Sequence, residues 1–408
     1  MQKNKKILLI NTYFSPVGGA EVIAYNTYKL LKDNGYDVYF WGCDKKPFFE
    51  DSYEYTKYFT KFDDSIKNYK SWYYNTEAKK DLAKFIDLIK PDLIHLHSFV
   101  TYLSPSVLEC CKDIPTVATL HNTDLVCPAV KLLYKNKKPC NKVYCKNGKY
   151  IQCLLNNCTQ NIESAFRKTI RAYITNVRLN NIDYFITPSK ALMDLMINNN
   201  EYINENNIAT VNNFLSENDF DYSEPDYTSK GYFLYIGRLS REKGVHYLLE
   251  ALKDLPRDIQ LHIIGGGNEE ESLKQYAKEN KLDNVKFLGF KNRKEIKEEY
   301  QNCIATILPC NWFENFPTTN MESFINGKPV IASNIGGIPE QVEHNKTGLL
   351  FEPANINQLK ECVLKYWQNS DLVREHGENA YKKAGTNYSQ KQYFNSLISI
   401  YNKFLKEN

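Results

Sequence analysis

Residues 231–244, GYFLYIGRLSREKG, are the stretch of sequence that most clearly indicates the fold. The apolar run GYFLYIG predicts a buried β-strand, and the charged residues after it predict a loop that leads into a helix. Further apolar runs follow, with helical segments between them: IQLHIIG, NVKFLGF, CIATILP and KPVIAS. Strands that alternate with helices indicate a parallel sheet covered on both faces. We therefore predict a doubly wound α/β domain that begins near Gly231.

The same alternation occurs in the first half of the chain. Strands are predicted at KILLI, DVYFWG, PDLIHLHS, PTVATLHN and DYFITPS, with a first helix over residues 20–34. The predicted fold class is α/β, with two Rossmann-like doubly wound parallel-sheet domains that face a central cleft. We place the N-terminal domain at 1–211, an acidic linker at 212–230, the C-terminal domain at 231–388, and a helix at 389–408 that crosses back to the first domain.

The composition is that of a globular protein without a membrane span. Of the 408 residues, 42% are hydrophobic and 25% are charged, which is ordinary for a globular chain. No run approaches the roughly 18 apolar residues that a membrane helix needs. The N-terminal apolar piece, residues 7–10, is shorter than the core of a signal peptide. We predict a cytoplasmic protein.

Cysteines are concentrated in one segment, since five of the 11 fall within residues 127–158. An odd number of cysteines in a reducing compartment argues against a disulfide framework. Thiolates suit zinc, but the spacing lacks the C-x-x-C pairs typical of zinc sites. Buried or free thiols are the favoured interpretation, and zinc is the alternative. The residues concerned are Cys127, Cys140, Cys145, Cys153 and Cys158.

The segment 125–180 is strongly basic, with 11 Lys and Arg against one acid, Glu163, in a chain of net charge +4. A solvated loop has such a composition, and so has a surface that meets anionic lipid or a phosphate-bearing substrate. No nucleic-acid motif accompanies the charge, so we predict no nucleic-acid partner. Tyrosines and leucines lie between the lysines, which favours an anionic membrane surface. The lysines are Lys131, Lys135, Lys137, Lys138, Lys142, Lys146 and Lys149.

Candidate functional residues follow the predicted strands, because open α/β sheets bind ligands at the carboxyl ends of their strands. Gly18 and Gly19 open the first helix, where glycine lets the backbone approach a ligand and the helix N-terminus favours an anion. Arg238 offers a planar fork for phosphate and Lys243 a movable point charge. A tight turn and a charged surface loop are the structural alternatives. The absence of G-x-G-x-x-G argues against an NAD-dependent dehydrogenase.

Several motifs together resemble the family 4 glycosyltransferases of the GT-B fold, and the resemblance runs from about Lys6 to Ser389. The motifs are GRLSREKG, FLGF, Glu314 and Glu322 in an E-x7-E spacing, GKPVIASNIGGIPE, and, in the first half, GGAE, PDLIHLHS and TLHN. The resemblance implies an enzyme that transfers a sugar with retention from a nucleotide-diphospho-sugar to an acceptor hydroxyl. It also implies that no cofactor is required.

The resemblance assigns roles to individual residues. Glu322 is expected to bind the ribose hydroxyls of the donor. Glu314 is expected to bind the transferred sugar and to stabilise positive character at its anomeric carbon. Arg238 and Lys243 would neutralise the departing diphosphate, which is electrostatic catalysis. His121 would approach the donor sugar.

The donor loop departs from the family pattern at one point. Asn315-Phe316-Pro317 stands where many members have Gly-Phe-Gly. Because Pro317 lacks an N–H group, only the amides that follow it, at Thr318 and Thr319, can bind phosphate. Gly18 and Gly19, in the first domain, are expected to admit the phosphate from the opposite wall.

Other residues receive structural interpretations. His95 and His97 are interpreted as cleft-floor or core residues and His246 as a helix residue. The motif Asp219-Phe220-Asp221 matches the Asp-x-Asp of metal-dependent transferases but lies in the linker, so we interpret it as chance. No metal site is expected for catalysis, because arginine and lysine already supply the charge that a diphosphate needs. The Gly265–Gly267 turn is interpreted as a tight connection.

The alternatives to a transferase are a GT-B epimerase acting on a nucleotide-sugar and a catalytically silent sugar-nucleotide-binding protein. Joint presence of Glu314, Arg238, Lys243 and His121 argues against a silent protein. The basic segment lies on the half of the chain expected to receive the acceptor. We therefore predict a lipid-linked saccharide acceptor in capsule or exopolysaccharide synthesis, on the inner face of the cell membrane.

Overall fold

The protein is described by a computed structural model that covers residues 5–13, 18–42, 56–58, 69–100, 103–135, 138–140, 142–159, 161–216, 225, 227 and 231–405. The chain divides into two compact units. Unit 1 comprises Met1–Phe214 together with Gln390–Asn408, and unit 2 comprises Leu215–Ser389. The Asp219–Asp221 motif and most of the predicted linker lie outside the described residues.

Unit 1 is built on a seven-stranded sheet in which every pairing is parallel, in the order β3-β2-β1-β4-β5-β8-β9. The strands are β1 (Lys6–Ile10), β2 (Asp37–Gly42), β3 (Thr56–Tyr58), β4 (Leu93–Leu96), β5 (Thr116–Thr119), β8 (Tyr184–Thr187) and β9 (Ile208–Thr210). A short antiparallel pair, β6 (Leu133–Tyr134) with β7 (Lys138–Pro139), lies apart from this sheet. The central strands are almost wholly buried, as expected when helices cover both faces.

The helices of unit 1 begin at side-chain caps in several places, as at Asn75, Asn161 and Ser189, whose side-chain oxygens each accept a backbone N–H. The helices are α1 (Gly19–Asp33), α2 (Tyr69–Tyr73), α3 (Thr76–Ile89), α4 (Ile151–Leu155), α5 (Ile162–Asn176), α6 (Lys190–Asn199) and, from the end of the chain, α14 (Gln390–Tyr401). Two 3₁₀ helices span Pro105–Cys110 and Leu179–Asn181.

The C-terminal helix α14 is part of the core of unit 1. Its residues Tyr393, Leu397, Ile400 and Tyr401 are buried in the cluster that contains β1 and β2. The Tyr393 hydroxyl and the Thr27 hydroxyl of α1 lie 2.8 Å apart. Full burial of a leucine such as Leu397 stabilises the fold by about 1.5–3 kcal/mol.

Unit 2 contains a six-stranded parallel sheet in the order β12-β11-β10-β13-β14-β15. The strands are β10 (Tyr232–Ile236), β11 (Gln260–Ile264), β12 (Val285–Gly289), β13 (Cys303–Leu308), β14 (Val330–Ser333) and β15 (Gly348–Phe351). The helices are α7 (Val245–Leu252), α8 (Glu270–Glu279), α9 (Arg293–Asn302), α10 (Thr318–Ile325), α11 (Ile338–Gln341), α12 (Ile356–Trp367) and α13 (Ser370–Asn387), with a 3₁₀ turn at Arg241–Lys243.

The predicted fold class, α/β with two doubly wound parallel sheets, is confirmed. Sequence reasoning missed three short strands of these sheets, β3, β9 and β15. It also extended the strands around β4 and β5 too far, because the polar and histidine residues that follow them lie beyond the sheet pairing. Those residues are the ones that reach the carboxyl edge of the unit 1 sheet.

Candidate functional site

The turn after β10 is held tightly against the end of β13. Gly244 closes the turn with φ +75°, and a Cβ atom there would lie 1.9 Å from the carbonyl oxygen of Pro309. Only glycine fits such a close approach without moving the backbone. The turn leaves Arg238 exposed and Lys243 partly buried. Both predicted phosphate-binding cations therefore lie at the carboxyl edge of the unit 2 sheet, in a loop with little freedom.

Lys243 and Glu314 form an ion pair at this edge. The Lys243 ammonium donates to Glu314 Oε2 at 2.8 Å, and the two side chains are only 16% and 12% exposed. The indole N–H of Trp312 donates to the same oxygen at 2.7 Å, and the ammonium lies 5.3 Å from the centre of the Trp312 ring. Two donors therefore fix one carboxylate oxygen. Because the pair is partly shielded from water, the Coulomb attraction between its two charges is stronger than in an exposed ion pair.

The backbone of Glu314 is fixed by the two glycines after β14. Gly337 donates its N–H to the carbonyl oxygen of Glu314 at 2.8 Å. Gly336 has φ +61°, and a Cβ atom there would lie 2.1 Å from the same oxygen. Sequence reasoning used these glycines and Trp312 only as parts of motifs. A pair of glycines in the loop after a buried strand was the signal that another part of the chain must approach the backbone there.

The segment between the two glutamates combines a buried anchor with a helix start. The Phe316 side chain is buried in the core beside Tyr388, so only its backbone is available to a ligand. Pro317 precedes the first residue of α10, and its carbonyl oxygen accepts a bond from Gln341 Nε2 at 3.1 Å. The helix N-terminus carries Thr318 and Thr319, whose side chains are partly exposed. These amides are the ones expected from sequence to face an anion.

Glu322 lies one turn further along α10 and is held by a buried tyrosine. The Tyr300 hydroxyl donates to Glu322 Oε2 at 3.0 Å. Burial raises the pKa of Glu322 above its usual value, while hydrogen bonds from Tyr300 and Thr318 act in the opposite direction. A carboxylate that is oriented but still partly exposed can accept hydrogen bonds from neighbouring hydroxyls of a ligand.

In unit 1, the start of α1 is occupied by a side chain of the same helix. Gly18 is the N-cap with extended backbone, and Gly19 is the first helical residue. Burial raises the pKa of Glu21, and backbone hydrogen bonds from Glu21 and Gly18 lower it in part. The Glu21 carboxylate therefore lies at the helix N-terminus, with its Oε2 atom 3.1 Å from a Cβ atom built on Gly18. An incoming phosphate at Gly19 would have to share or displace this carboxylate.

His121 belongs to a group of three histidines at the carboxyl ends of β4 and β5. His97 Nδ1 lies 2.9 Å from His121 Nε2, with the two rings stacked. His95 hydrogen-bonds through Nδ1 to the Tyr401 hydroxyl at 2.6 Å and through Nε2 to the Thr119 hydroxyl at 2.7 Å. Burial lowers the pKa of His121 to about 4 and that of His95 to about 3, so both rings are neutral near pH 7.

The clustered cysteines line one small cavity of about 10 Å³ in unit 1. Every cysteine for which the structure gives a bonding state is a free thiol. Over the described ranges, no set of three or more His, Cys, Asp or Glu side chains is arranged to hold a metal ion. The cysteines around the cavity are Cys127, Cys140, Cys145, Cys153 and Cys158.

The basic segment carries an exposed apolar surface. Leu155 of α4 is 70% exposed, and Ile162 and Phe166 of α5 are 73% and 53% exposed. Among the helices of the described ranges, none combines the length and hydropathy that a membrane crossing requires. Most of the large apolar side chains that are well exposed lie on this segment: Tyr144, Ile151, Leu155, Ile162, Phe166, Tyr173 and Val177.

Comparison with protein families matches both halves of the chain. The family described as Glycosyltransferase Family 4 matches residues 17–218, and the family described as Glycosyl transferases group 1 matches residues 217–383. An uncharacterized glycosyltransferase of Methanocaldococcus jannaschii is 27% identical over 98% of both chains. The capsular polysaccharide biosynthesis glycosyltransferase CapM of Staphylococcus aureus is 25% identical over 43% of this chain and 46% of its own.

Solved structures share the fold over the whole chain. Sucrose-phosphate synthase from Thermosynechococcus elongatus superposes with a TM-score of 0.76 at 19% identity, covering 98% of this chain and 99% of its own. HepE of Anabaena, solved with UDP and glucose, superposes with a TM-score of 0.69 at 18% identity, covering 98% of this chain and 100% of its own.

Proposed function

Because the chain belongs to the family 4 glycosyltransferases of the GT-B type, we propose that its donor is a nucleotide-diphospho-sugar and that the sugar is transferred with retention of configuration. The observation that carries this proposal is the partly buried Lys243–Glu314 pair, with Arg238 exposed in the same turn. A cation and an anion held side by side suit a substrate that joins a diphosphate to a sugar. The complex of HepE with UDP and glucose supports this donor class.

The donor diphosphate is expected to bind at the turn after β10. Lys243 and Arg238 supply two positive charges there, and the backbone amides at the start of α10 can add hydrogen-bond donors. The charge of Lys243 is balanced by Glu314. A diphosphate would share the ammonium with Glu314, so the cation needs no large movement to reach the leaving group. Such preorganised charge lowers the barrier to departure of the diphosphate.

Glu314 is suited to electrostatic stabilisation rather than to covalent attack. Its Oε2 atom already accepts hydrogen bonds from Lys243 and Trp312, which withdraws electron density from the carboxylate. Oε1 remains for a hydroxyl of the transferred sugar. The carboxylate can then stabilise positive character at the anomeric carbon while the acceptor hydroxyl attacks from the side that the diphosphate leaves and gives its proton to the departing phosphate oxygen. Retention follows from this front-face attack without a glycosyl-enzyme intermediate, and no divalent metal takes part.

The acceptor is proposed to be a lipid-linked saccharide at an anionic membrane surface. Ile162, Phe166, Tyr173 and Val177 recur at helical spacing, so they lie along one exposed face of α5 and its C-terminal end. Ile151 and Leu155 lie on α4, which packs beside α5. Exposed lysines of the same segment can bind lipid phosphates at about 1 kcal/mol each. The similarity to CapM supports a role in cell-surface polysaccharide synthesis.

The donor proposal is tested by incubating the protein with a panel of nucleotide-sugars and measuring the nucleotide diphosphate released, with and without saccharide acceptors. Release that depends on one donor, and product anomers of the donor's own configuration, would support it. Inverted product would contradict retention. Formation of a free epimerised nucleotide-sugar without acceptor would favour the epimerase alternative.

The acceptor proposal is tested by co-sedimentation with liposomes that contain or lack anionic lipid. Binding should require anionic lipid, weaken as salt increases, and fall when Lys135, Lys142, Lys146 and Lys149 are changed together to glutamine. Phe166→Ser on α5 should also weaken binding. Leu88→Ser is a matched control, because Leu88 is 77% exposed on α3, outside the basic segment. Equal sedimentation of all variants would overturn membrane docking and favour a soluble acceptor or a protein partner for this face.

A further inference from the structure

His97 has a buried ring nitrogen, Nε2, that lacks a hydrogen-bond partner among the described residues. His95 uses both of its ring nitrogens in hydrogen bonds. The His97 side chain is 3% exposed, and its Nε2 atom has no hydrogen-bond partner within the part of the chain that the structure describes. Its Nδ1 atom is bound to His121 Nε2. A buried polar atom without a partner is uncommon and calls for a physical explanation.

The two rings must share a single proton across their hydrogen bond. Burial lowers the pKa of both imidazoles far enough that neither carries a charge near pH 7. In one arrangement His97 Nδ1 donates to His121 Nε2, and His121 then carries its own proton on Nδ1. In the other arrangement His121 Nε2 donates to His97, and His97 carries its proton on Nε2.

The unsatisfied nitrogen distinguishes these arrangements. If His97 carried its proton on Nε2, a buried N–H group would be left without an acceptor, which proteins strongly avoid. If the proton is on Nδ1, the unsatisfied atom is only a lone pair, and every N–H group of His97 is bonded. A solvent-exposed histidine side chain slightly favours the proton on Nε2, and the buried environment of His97 opposes that preference.

We propose that His97 is a positioning residue that holds His121 in the tautomer with the proton on Nδ1. His121 then presents an N–H donor, rather than a lone pair, on the side away from His97. This inference rests on the proposed function in one respect, namely that His121 faces the transferred sugar. On that basis His121 donates a hydrogen bond to a sugar oxygen and does not act as a general base. The Nδ1 atom is free to do so, since no described residue is hydrogen-bonded to it.

The tautomers can be measured directly in the free, full-length protein. Nitrogen chemical shifts of ¹⁵N-histidine-labelled protein distinguish Nδ1–H, Nε2–H and imidazolium forms, and the His97→Asn and His121→Asn spectra assign the signals. We expect the Nδ1–H form for both rings. The Nε2–H form at His121, or an imidazolium at either position near pH 7, would overturn the proposal. This measurement does not depend on turnover, so it stands even if no donor is found.

Kinetics then separate positioning from packing. His97→Asn places an amide N–H close to the position of Nδ1 and should keep most of the activity. His97→Leu removes the donor and should lower kcat by up to about 100-fold, with a smaller change in KM. Tyr401→Phe is the matched control, because it removes the partner of His95 and leaves His97 bonded to His121. Equal losses in His97→Asn and His97→Leu would mean that the ring acts only as a space-filling core residue.

Discussion

The carboxyl edges of the two sheets carry opposite chemistry. In unit 1, the polar groups at the carboxyl ends of β4 and β5 include neutral histidines that hydrogen-bond to one another and to hydroxyl groups. In unit 2, the residues that follow β10 and β13 are a lysine and a glutamate in direct contact, beside an exposed arginine. Both arrangements exclude most water, but only the second keeps its charges.

This difference follows from what each group loses on burial. A histidine can release its proton and remain as a neutral hydrogen-bonding ring, so desolvation lowers its pKa and leaves no charge to balance. A lysine beside a glutamate keeps both charges, because each stabilises the other. Unit 1 therefore offers oriented neutral donors and acceptors, which suit sugar hydroxyls. Unit 2 offers fixed charge, which suits a diphosphate.

The largest effect is expected where the fixed charge is removed. Lys243→Met should raise the activation barrier by about 2–4 kcal/mol, because the leaving diphosphate loses a preorganised cation. Arg238→Ala should cost less, because Arg238 is exposed and solvent screens its charge. Steady-state kinetics with the identified donor measure both. Near-normal kcat/KM in Lys243→Met would show that charge at this edge is not what drives the reaction.

A second prediction tests whether the close approach of Gly336 to the Glu314 carbonyl oxygen fixes the backbone of Glu314. Gly336→Ala should destabilise the loop by about 1–3 kcal/mol and lower activity, because the new Cβ would collide with the Glu314 carbonyl oxygen at a positive φ. Gly385→Ala is the control, since no atom lies within 4 Å of a Cβ built there. In that helix position alanine should be neutral or stabilising by up to about 1 kcal/mol. Thermal unfolding and kcat/KM report the two effects, and equal behaviour of the two variants would contradict the role of Gly336.

The neutral edge of unit 1 predicts a pH dependence of stability. In the unfolded chain, histidines protonate as the pH falls through 6.5, whereas His121 stays neutral until about pH 4 and His95 until about pH 3. Between these pH values the unfolded state binds more protons than the folded state. The contribution of the buried neutral histidines to the free energy of unfolding is therefore fully present above pH 6.5 and decreases as the pH falls below it. One histidine contributes up to about 1.4 kcal/mol per pH unit.

A variant of His121 separates its contribution to the pH dependence of stability from that of groups with the opposite dependence. Asp124 acts in the opposite direction, since burial raises its pKa to about 6 in the folded state, against the nearby charge of Arg171. The His121→Gln variant keeps Asp124 and lacks only the histidine. When the pH is lowered from 6.5 to 5.5, the free energy of unfolding should fall by about 1 kcal/mol less in this variant than in the parent protein. Urea titrations at both pH values measure this difference, with the slope m compared to verify that the same transition is followed. Identical losses would mean that His121 is not buried neutral.

A smaller loss of activity than in Lys243→Met is expected when the group that orients the fixed charge is changed. Trp312→Phe keeps an aromatic ring near the Lys243 ammonium but removes the N–H that donates to Glu314 Oε2. Loss of one hydrogen bond to a charged group predicts a decrease in kcat of about 10-fold. Trp367→Phe is the control, because Trp367 packs on the apolar core of the same unit. If both variants keep full activity, Lys243 alone holds the carboxylate in place.

Much of the fold was predictable because its strands are buried on both faces. Runs such as KILLI and CIATILP contain no polar residue apart from a single lysine or threonine, and such runs have few alternatives to a central strand. The strands that sequence reasoning missed, Thr56–Tyr58, Ile208–Thr210 and Gly348–Phe351, are short and lie at sheet edges. Their residues have no distinctive pattern, and only the neighbouring strand makes them part of the sheet.

The candidate site was less predictable, since its contacts join residues far apart in the chain. The charged residues that follow predicted strands indicated Arg238, Lys243 and Glu314 as site residues. Their positions in the sequence did not predict that Lys243 and Glu314 would form an ion pair. His97 and His121 are 24 positions apart and meet only because β4 and β5 are neighbours in the sheet order. Sequence reasoning interpreted His97 as a core or cleft-floor residue, which its burial supports, and it missed the hydrogen bond to His121.

The smallest predicted effect is that of a metal chelator. If Lys243 and Arg238 neutralise the diphosphate, then EDTA should leave kcat unchanged, and added manganese should not increase it. Because five thiols surround one cavity in unit 1, the thermal midpoint is measured in the same samples. A fall in stability together with activity would indicate a structural metal at the thiols. Activity lost at constant stability and restored by manganese would mean that a divalent ion assists departure of the diphosphate. The positive charge at the carboxyl edge of the unit 2 sheet would then have to come from a metal ion in place of the lysine.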